Sequence, residues 1–138
     1  CGKNDYERLQ HTVKEENVHL IPFSDDMGAF YSAADLIVSR AGALALSEMA
    51  LMGKAMVLVP LPHSAGDHQY KNAQAFSNSG AAVVLSQSKL PAGDLETTVL
   101  ELFKHPKKIQ EMEEQSIQMA APHATDNIIS TIMEIAIS

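Results

Sequence analysis

At 138 residues, 46% of them hydrophobic, the chain has the length of one domain and enough apolar side chains to bury about two thirds of its unfolded surface without staples. A net charge of −7 speaks against sequence-independent binding to phosphate backbones, so nucleic acid is not an expected partner, and the single cysteine, Cys1, excludes an internal disulfide and suits a reducing, cytoplasmic setting. No apolar run reaches the ~18 to 20 residues of a membrane span, and the first residues lack the basic-then-apolar order of a signal peptide.

The opening Cys-Gly-Lys-Asn is turn chemistry with no element in front of it, and the chain is expected to be a fragment. Residues 5–16 predict a polar, exposed helix, and 18–22 ("VHLIP") a short strand. Ser24, Asp25 and Asp26 then offer caps for a helix over 27–34. A strand follows at 35–39 ("DLIVS"), then a helix over 44–52 stopped by Gly53. Residues 56–60 ("MVLVP") form a continuous apolar run, the kind buried on both faces of a parallel sheet. A helix over 68–79 closed by Gly80, a fourth strand at 82–85, and helices over 94–103, 106–119 and 126–137 complete the pattern.

Strands and helices alternating at this length predict an α/β fold, a Rossmann-like doubly wound parallel sheet with a helical C-terminal third. Ligands in this class bind outside the carboxyl ends of the strands, which selects the loops 23–27, 39–44 and 61–69.

The loop Ser39-Arg40-Ala41-Gly42-Ala43 hands a strand directly to a helix, so the free N–H groups of Ala43, Leu44 and Ala45 present the positive end of the helix dipole. That is an anion site by geometry, or a tight turn with nothing bound. Glu48 lies about 40° round the helix from Leu44 and roughly 6 Å along it. A diphosphate at the helix start would place an attached ribose there, where an ionised carboxylate can accept from both hydroxyls. The plain alternative is an exposed helix glutamate, whose replacement by alanine would change stability by less than about 0.5 kcal/mol.

In "PLPHSAGDHQYKNA", Gln69 can donate to and accept from sugar hydroxyls, His68 can donate, and Asp67 is expected to cap the following helix. His63, His68 and Asp67 lack the spacing of a metal site, and no metal or other cofactor is expected. Near Ser24 a backbone N–H and C=O could pair with the edge of a base between Phe23 and Met27, or the same residues could simply cap a helix and fill a core.

Taken together, "DLIVSRAGALALSEMALMGKAMVLVPLPHSAGDHQYKNA", with "FSDDMGAFYSAADL" upstream and "GAAVVL" downstream, resembles the C-terminal donor-binding domain of the MurG family. These bacterial enzymes transfer N-acetylglucosamine from UDP-N-acetylglucosamine to lipid I, making lipid II for peptidoglycan. The resemblance implies one half of a GT-B glycosyltransferase, two Rossmann-like domains with the active site in the cleft between them.

It also implies that the stretch Ala43, Leu44, Ala45, Leu46, Ser47 and Glu48 holds the donor's phosphates and ribose. By the same likeness, the Ser24 backbone reads uracil beside Met27, and Gln69 contacts the sugar hydroxyls with His68 beside it. Cys1 stands where the family usually has serine or threonine before Gly-Lys, and Ala45 where some members have a phosphate-binding threonine.

The family's Gly-Gly-Ser-x-Gly loop and its acceptor domain are absent from this sequence. The expectation is therefore a single donor domain over 1–138, without its first strand or strands and without a catalytic residue of its own, inactive in transfer by itself. Lipid I and the inner face of the plasma membrane would be met through the other domain. Two other readings fit the same residues, an enzyme like the UDP-N-acetylglucosamine 2-epimerases and a non-catalytic donor subunit of a split glycosyltransferase.

Overall fold

A computed structural model describes residues 2–120, 132 and 133 of the chain. It contains two compact units, Cys1–Phe30 and Tyr31–Ser138.

In the first unit, helix α1 (Lys3–Gln10) has no buried residue. It is shorter than the helix expected over 5–16, because the N–H groups of Thr12 and Val13 both converge on the Leu9 carbonyl (2.9 and 2.8 Å) and the Thr12 hydroxyl donates to the Arg8 carbonyl at 3.1 Å. These bonds close the last turn. The expected strand at 18–22 does not form. Val18 N–H turns back to the Glu15 carbonyl at 3.1 Å, and Pro22 has no N–H to give a ladder.

Helix α2 (Met27–Ala33) begins where Asp26 Oδ1 accepts from the Ala29 N–H at 2.9 Å, the cap expected from the Ser-Asp-Asp stretch. At its other end Lys54 Nζ donates to the carbonyls of Ser32 and Ala34 at 3.3 and 3.0 Å, a cation on the negative end of the helix.

The second unit is built on three parallel strands in the order β1 (Ile37–Ser39), β2 (Met56–Leu58), β3 (Ala82–Val84), with Ile37 opposite Met56 and Met56 opposite Ala82. Helix α3 (Ala43–Leu51) links the first two strands and α4 (His68–Asn78) the next two, while α5 (Asp94–Lys104) and α6 (Pro106–Met119) follow. This is the Rossmann-like α/β pattern expected, with each strand shorter than the apolar run that marked it. Of the helix expected over 126–137, only Ile132 and Met133 fall within the described residues, and both are helical.

The central strand explains the core. Met56 and Leu58 point into a cluster with Tyr31, Leu46, Met49 and Ala73, whereas Ala55, Val57 and Val59 point into one with Leu102, Ile109 and Met112. Alternation along one strand therefore feeds two layers, and a strand buried on both faces has to read as an uninterrupted apolar run.

Both stop glycines act as read. Gly53 (φ 61°) follows α3, its N–H donating to Ala50 O at 2.9 Å while Lys54 N–H donates to Met49 O at 3.0 Å. Gly80 (φ 88°) repeats the pair on Ser77 O and Phe76 O at 3.0 and 2.9 Å. Both are Schellman endings, which need a left-handed residue at that position.

One core position is unfavourable. The Ser116 side chain is fully buried on α6, and its hydroxyl has no hydrogen-bond partner among the described residues. Ser116→Ala should raise stability by about 1 kcal/mol, read as a higher urea midpoint at unchanged slope. A lower midpoint would mean that the hydroxyl is satisfied.

Candidate functional site

Strand β1 ends at Ser39, and three residues later Gly42, in extended conformation (φ −68°, ψ 137°), starts α3 without a side-chain cap. The first intrahelical bond is Leu46 N–H to Gly42 O at 3.0 Å, so the N–H groups of Ala43, Leu44 and Ala45 have no acceptor within the helix. Leu44 is 75% exposed, which leaves this end of the helix open to an anion.

Two neighbours are engaged by the protein itself. Leu46 is 2% exposed and its N–H is taken up by Gly42, so its side chain anchors the helix in the core. Ser47 Oγ donates to Ala43 O at 3.0 Å, which commits its proton to the helix backbone.

Glu48 is not the exposed helix glutamate of the plain reading. It is half-buried, and the Tyr31 hydroxyl donates to its Oε2 at 3.4 Å. Tyr31 itself is 8% exposed. Burial first, then the Glu48 charge and hydrogen bond, push its phenol above the ordinary value of 10.0, so it remains a protonated donor at neutral pH. Glu48 Oε1 has no protein partner among the described residues and is left to accept from a ligand. Sequence reasoning missed Tyr31, because nothing in "FYSAAD" marks a tyrosine that reaches 17 residues ahead.

The loop over 61–69 is tightly wound. Among the described residues, both non-glycine residues with positive φ lie in it, His63 (56°) and Asp67 (54°), together with Gly66 (58°). Asp67 occupies the position before α4 but makes no side-chain cap, contrary to expectation. A capping residue needs extended backbone, and a left-handed one aims its carboxylate elsewhere. Ser64 does that work instead, its Oγ accepting from the Gln69 N–H at 3.3 Å and its carbonyl from the Asp67 N–H at 2.8 Å. Gly66 gives the exposed His68 ring room, since a Cβ there would stand 3.3 Å from His68 Nε2.

Gln69 folds back on its own loop, Oε1 accepting from the Leu61 N–H at 2.9 Å, so the amide atom left over is the Nε2 donor. The two loops are tied together. Arg40 donates from Nη1 to the carbonyls of Val59 (3.0 Å) and Pro60 (3.5 Å), and Asn72 Nδ2 donates to Ala41 O at 3.2 Å. Neither tie was legible from spacing.

A cleft of about 660 Å³ opens at the carboxyl ends of β2 and β3, bounded by Pro60, His63, Asp67, Tyr70, Ser86 and Lys89. None of the residues 43–48 lines it; Ala43, Leu46 and Ser47 instead border a smaller cavity of about 310 Å³ with Asn72 and Phe76. Among the described residues, no group of three or more His, Cys, Asp or Glu side chains is placed to hold a metal ion, and no helix is long and apolar enough to cross a membrane.

In the first unit, Ser24 Oγ accepts from the Asp26 N–H at 3.1 Å, which holds the side chain against its own loop. Phe23 and Met27 are 64% and 43% exposed, and Lys3 Nζ stands 5.7 Å from the centre of the Phe23 ring. Cys1 lies outside the described residues.

The sequence profile of the glycosyltransferase family 28 C-terminal domain matches residues 1–128. The chain belongs to this family. Its similarity extends to curated relatives called UDP-N-acetylglucosamine--N-acetylmuramyl-(pentapeptide) pyrophosphoryl-undecaprenol N-acetylglucosamine transferase. The protein from Azotobacter vinelandii is 37% identical over 99% of this chain and 39% of its own length. The one from Myxococcus xanthus is 36% identical over 99% and 36%. The crystal structure of MurG from Acinetobacter baumannii superposes with a TM-score of 0.84 at 35% identity, over 97% of this chain and 40% of that one. The chain thus spans about two fifths of the relatives it matches.

Proposed function

We propose that this chain is the donor-binding domain of an inverting GT-B glycosyltransferase that moves N-acetylglucosamine from UDP-N-acetylglucosamine to lipid I. The observation that carries the reading is the uncapped start of α3 with Glu48, held by Tyr31, one turn further along. An anion site and a ribose-sized carboxylate at that separation suit a nucleoside diphosphate.

In the reaction the 4-hydroxyl of the muramoyl sugar attacks the anomeric carbon, the bond to the diphosphate breaks with inversion, and UDP departs. The Ala43, Leu44 and Ala45 N–H groups would stabilise the charge developing on the leaving diphosphate. Gln69 and His68 would hold the sugar and the Ser24 backbone beside Met27 would take the uracil; Cys1, which the resemblance counts among the donor-binding residues, is outside the described residues. The acceptor, the base and contact with the inner face of the plasma membrane belong to another domain in this reading.

The test is calorimetric titration of the chain with UDP-N-acetylglucosamine, UDP and ADP. Uridine compounds should bind at least about tenfold more tightly than ADP, the discrimination expected from one or two hydrogen bonds to the base edge. Equal affinities for UDP and ADP would refute the base-reading role of the Ser24 loop.

A further inference from the structure

We infer that Arg40 is a positioning residue for the donor sugar, acting through the loop that carries Gln69. Strand β1 stops at Ser39, whose carbonyl accepts the last ladder bond, from Val59 N–H at 2.8 Å. The next bond of a parallel ladder would need a backbone donor to Val59 O, and β1 no longer supplies one. Arg40 Nη1 takes that place at 3.0 Å and also reaches Pro60 O at 3.5 Å. Leu61, the next residue, gives its N–H to Gln69 Oε1 at 2.9 Å.

A chain of adjacent bonds therefore runs from a guanidinium in the α3 loop to the amide that would face the sugar. Its consequence is orientational. With Oε1 held by Leu61, the Gln69 side chain presents Nε2; once the 59–61 backbone is released, the amide can rotate and present either atom.

Arg40 has no carboxylate partner within salt-bridge distance among the described residues, so its ordering depends on these two carbonyls. A guanidinium suits the task because Nη1 carries two N–H groups fixed in one plane, which a freely rotating ammonium does not.

The inference rests on the donor-binding reading above, and two separate readouts test it. The first needs no ligand. In Arg40→Met, hydrogen exchange at the Leu61 amide should speed up about tenfold or more, while α5 and α6 exchange as in the wild type. Unchanged exchange at Leu61 would overturn the clamp, and faster exchange throughout would mean a general loss of fold. Arg40→Lys, whose ammonium keeps the charge and the donors on a shorter, unforked stem, should give an intermediate rate.

The second readout is calorimetric affinity for UDP, UDP-N-acetylglucosamine and its 4-epimer UDP-N-acetylgalactosamine. The preference of the wild type for the gluco donor should fall about five- to tenfold in Arg40→Met, with UDP affinity kept within about twofold. A retained preference would overturn the positioning role. A fall in UDP affinity matching that for the sugar nucleotides would overturn it too, by placing Arg40 on the diphosphate. If the wild type binds none of the three, the donor-binding reading fails and the positioning role with it, and the exchange result then stands for the loop clamp alone.

Discussion

Glu48→Ala is expected to weaken binding of UDP-N-acetylglucosamine by about ten- to a hundred-fold, the effect of removing charge-assisted bonds worth roughly 1.5 to 3 kcal/mol. The discriminating ligand is the 2′-deoxy analogue, which lacks one of the two ribose hydroxyls. The wild type should bind it less well than the normal donor, and the alanine variant should hardly distinguish the two. A variant that keeps the full preference for ribose would place the ribose site elsewhere.

The structure changes what the same substitution does to the fold. An exposed glutamate would leave stability within about 0.5 kcal/mol. Here the nearly buried Tyr31 hydroxyl would lose its acceptor, so Glu48→Ala should cost about 1 kcal/mol. Glu48→Gln separates the two effects. It keeps an oxygen for Tyr31 and so should keep the stability, yet it loses the charge and one accepting position, and donor affinity should still fall. Equal stability loss in both variants would show that charge, not the acceptor, matters to Tyr31.

Leu58→Ala should have the largest effect on stability, about 2 to 5 kcal/mol, because Leu58 is fully buried at the end of the central strand and packs in the cluster with Tyr31, Leu46 and Met49. Strands lie on either side of it, through Ser39 and Val84, so the backbone has little room to collapse into the space left behind. In urea the midpoint should fall by about 1 to 2 M at unchanged slope. A loss below about 1 kcal/mol would mean that the packing around β2 is loose.

Most of this architecture is written in local patterns. The "MVLVP" run announces a strand covered on both faces, Gly53 and Gly80 announce where α3 and α4 end, and Pro106 marks the start of α6. The "VHLIP" run fails because strand formation is a property of pairs, and an apolar pentapeptide carries no information about its partner. Asp67 fails for a related reason. Residue type favours a cap, but the Ser64 bonds and the left-handed turn decide which side chain reaches the helix end.

The candidate site divides along the same line. By itself the sequence determined which groups are available: small residues at a strand-to-helix turn, a carboxylate one helical turn on, and an amide in a proline-flanked loop. Those follow from residue type and the fixed rise and rotation of a helix, which require no knowledge of neighbours. Tertiary structure alone decided how the groups are held and which of them remain free. Tyr31 restrains one oxygen of Glu48, Leu61 takes one atom of Gln69, Arg40 and Asn72 join the two loops, and Leu46 is drawn into the core. Each depends on contacts between residues 8 to 31 positions apart, or on burial, and both are set by chain packing rather than by any spacing along the sequence.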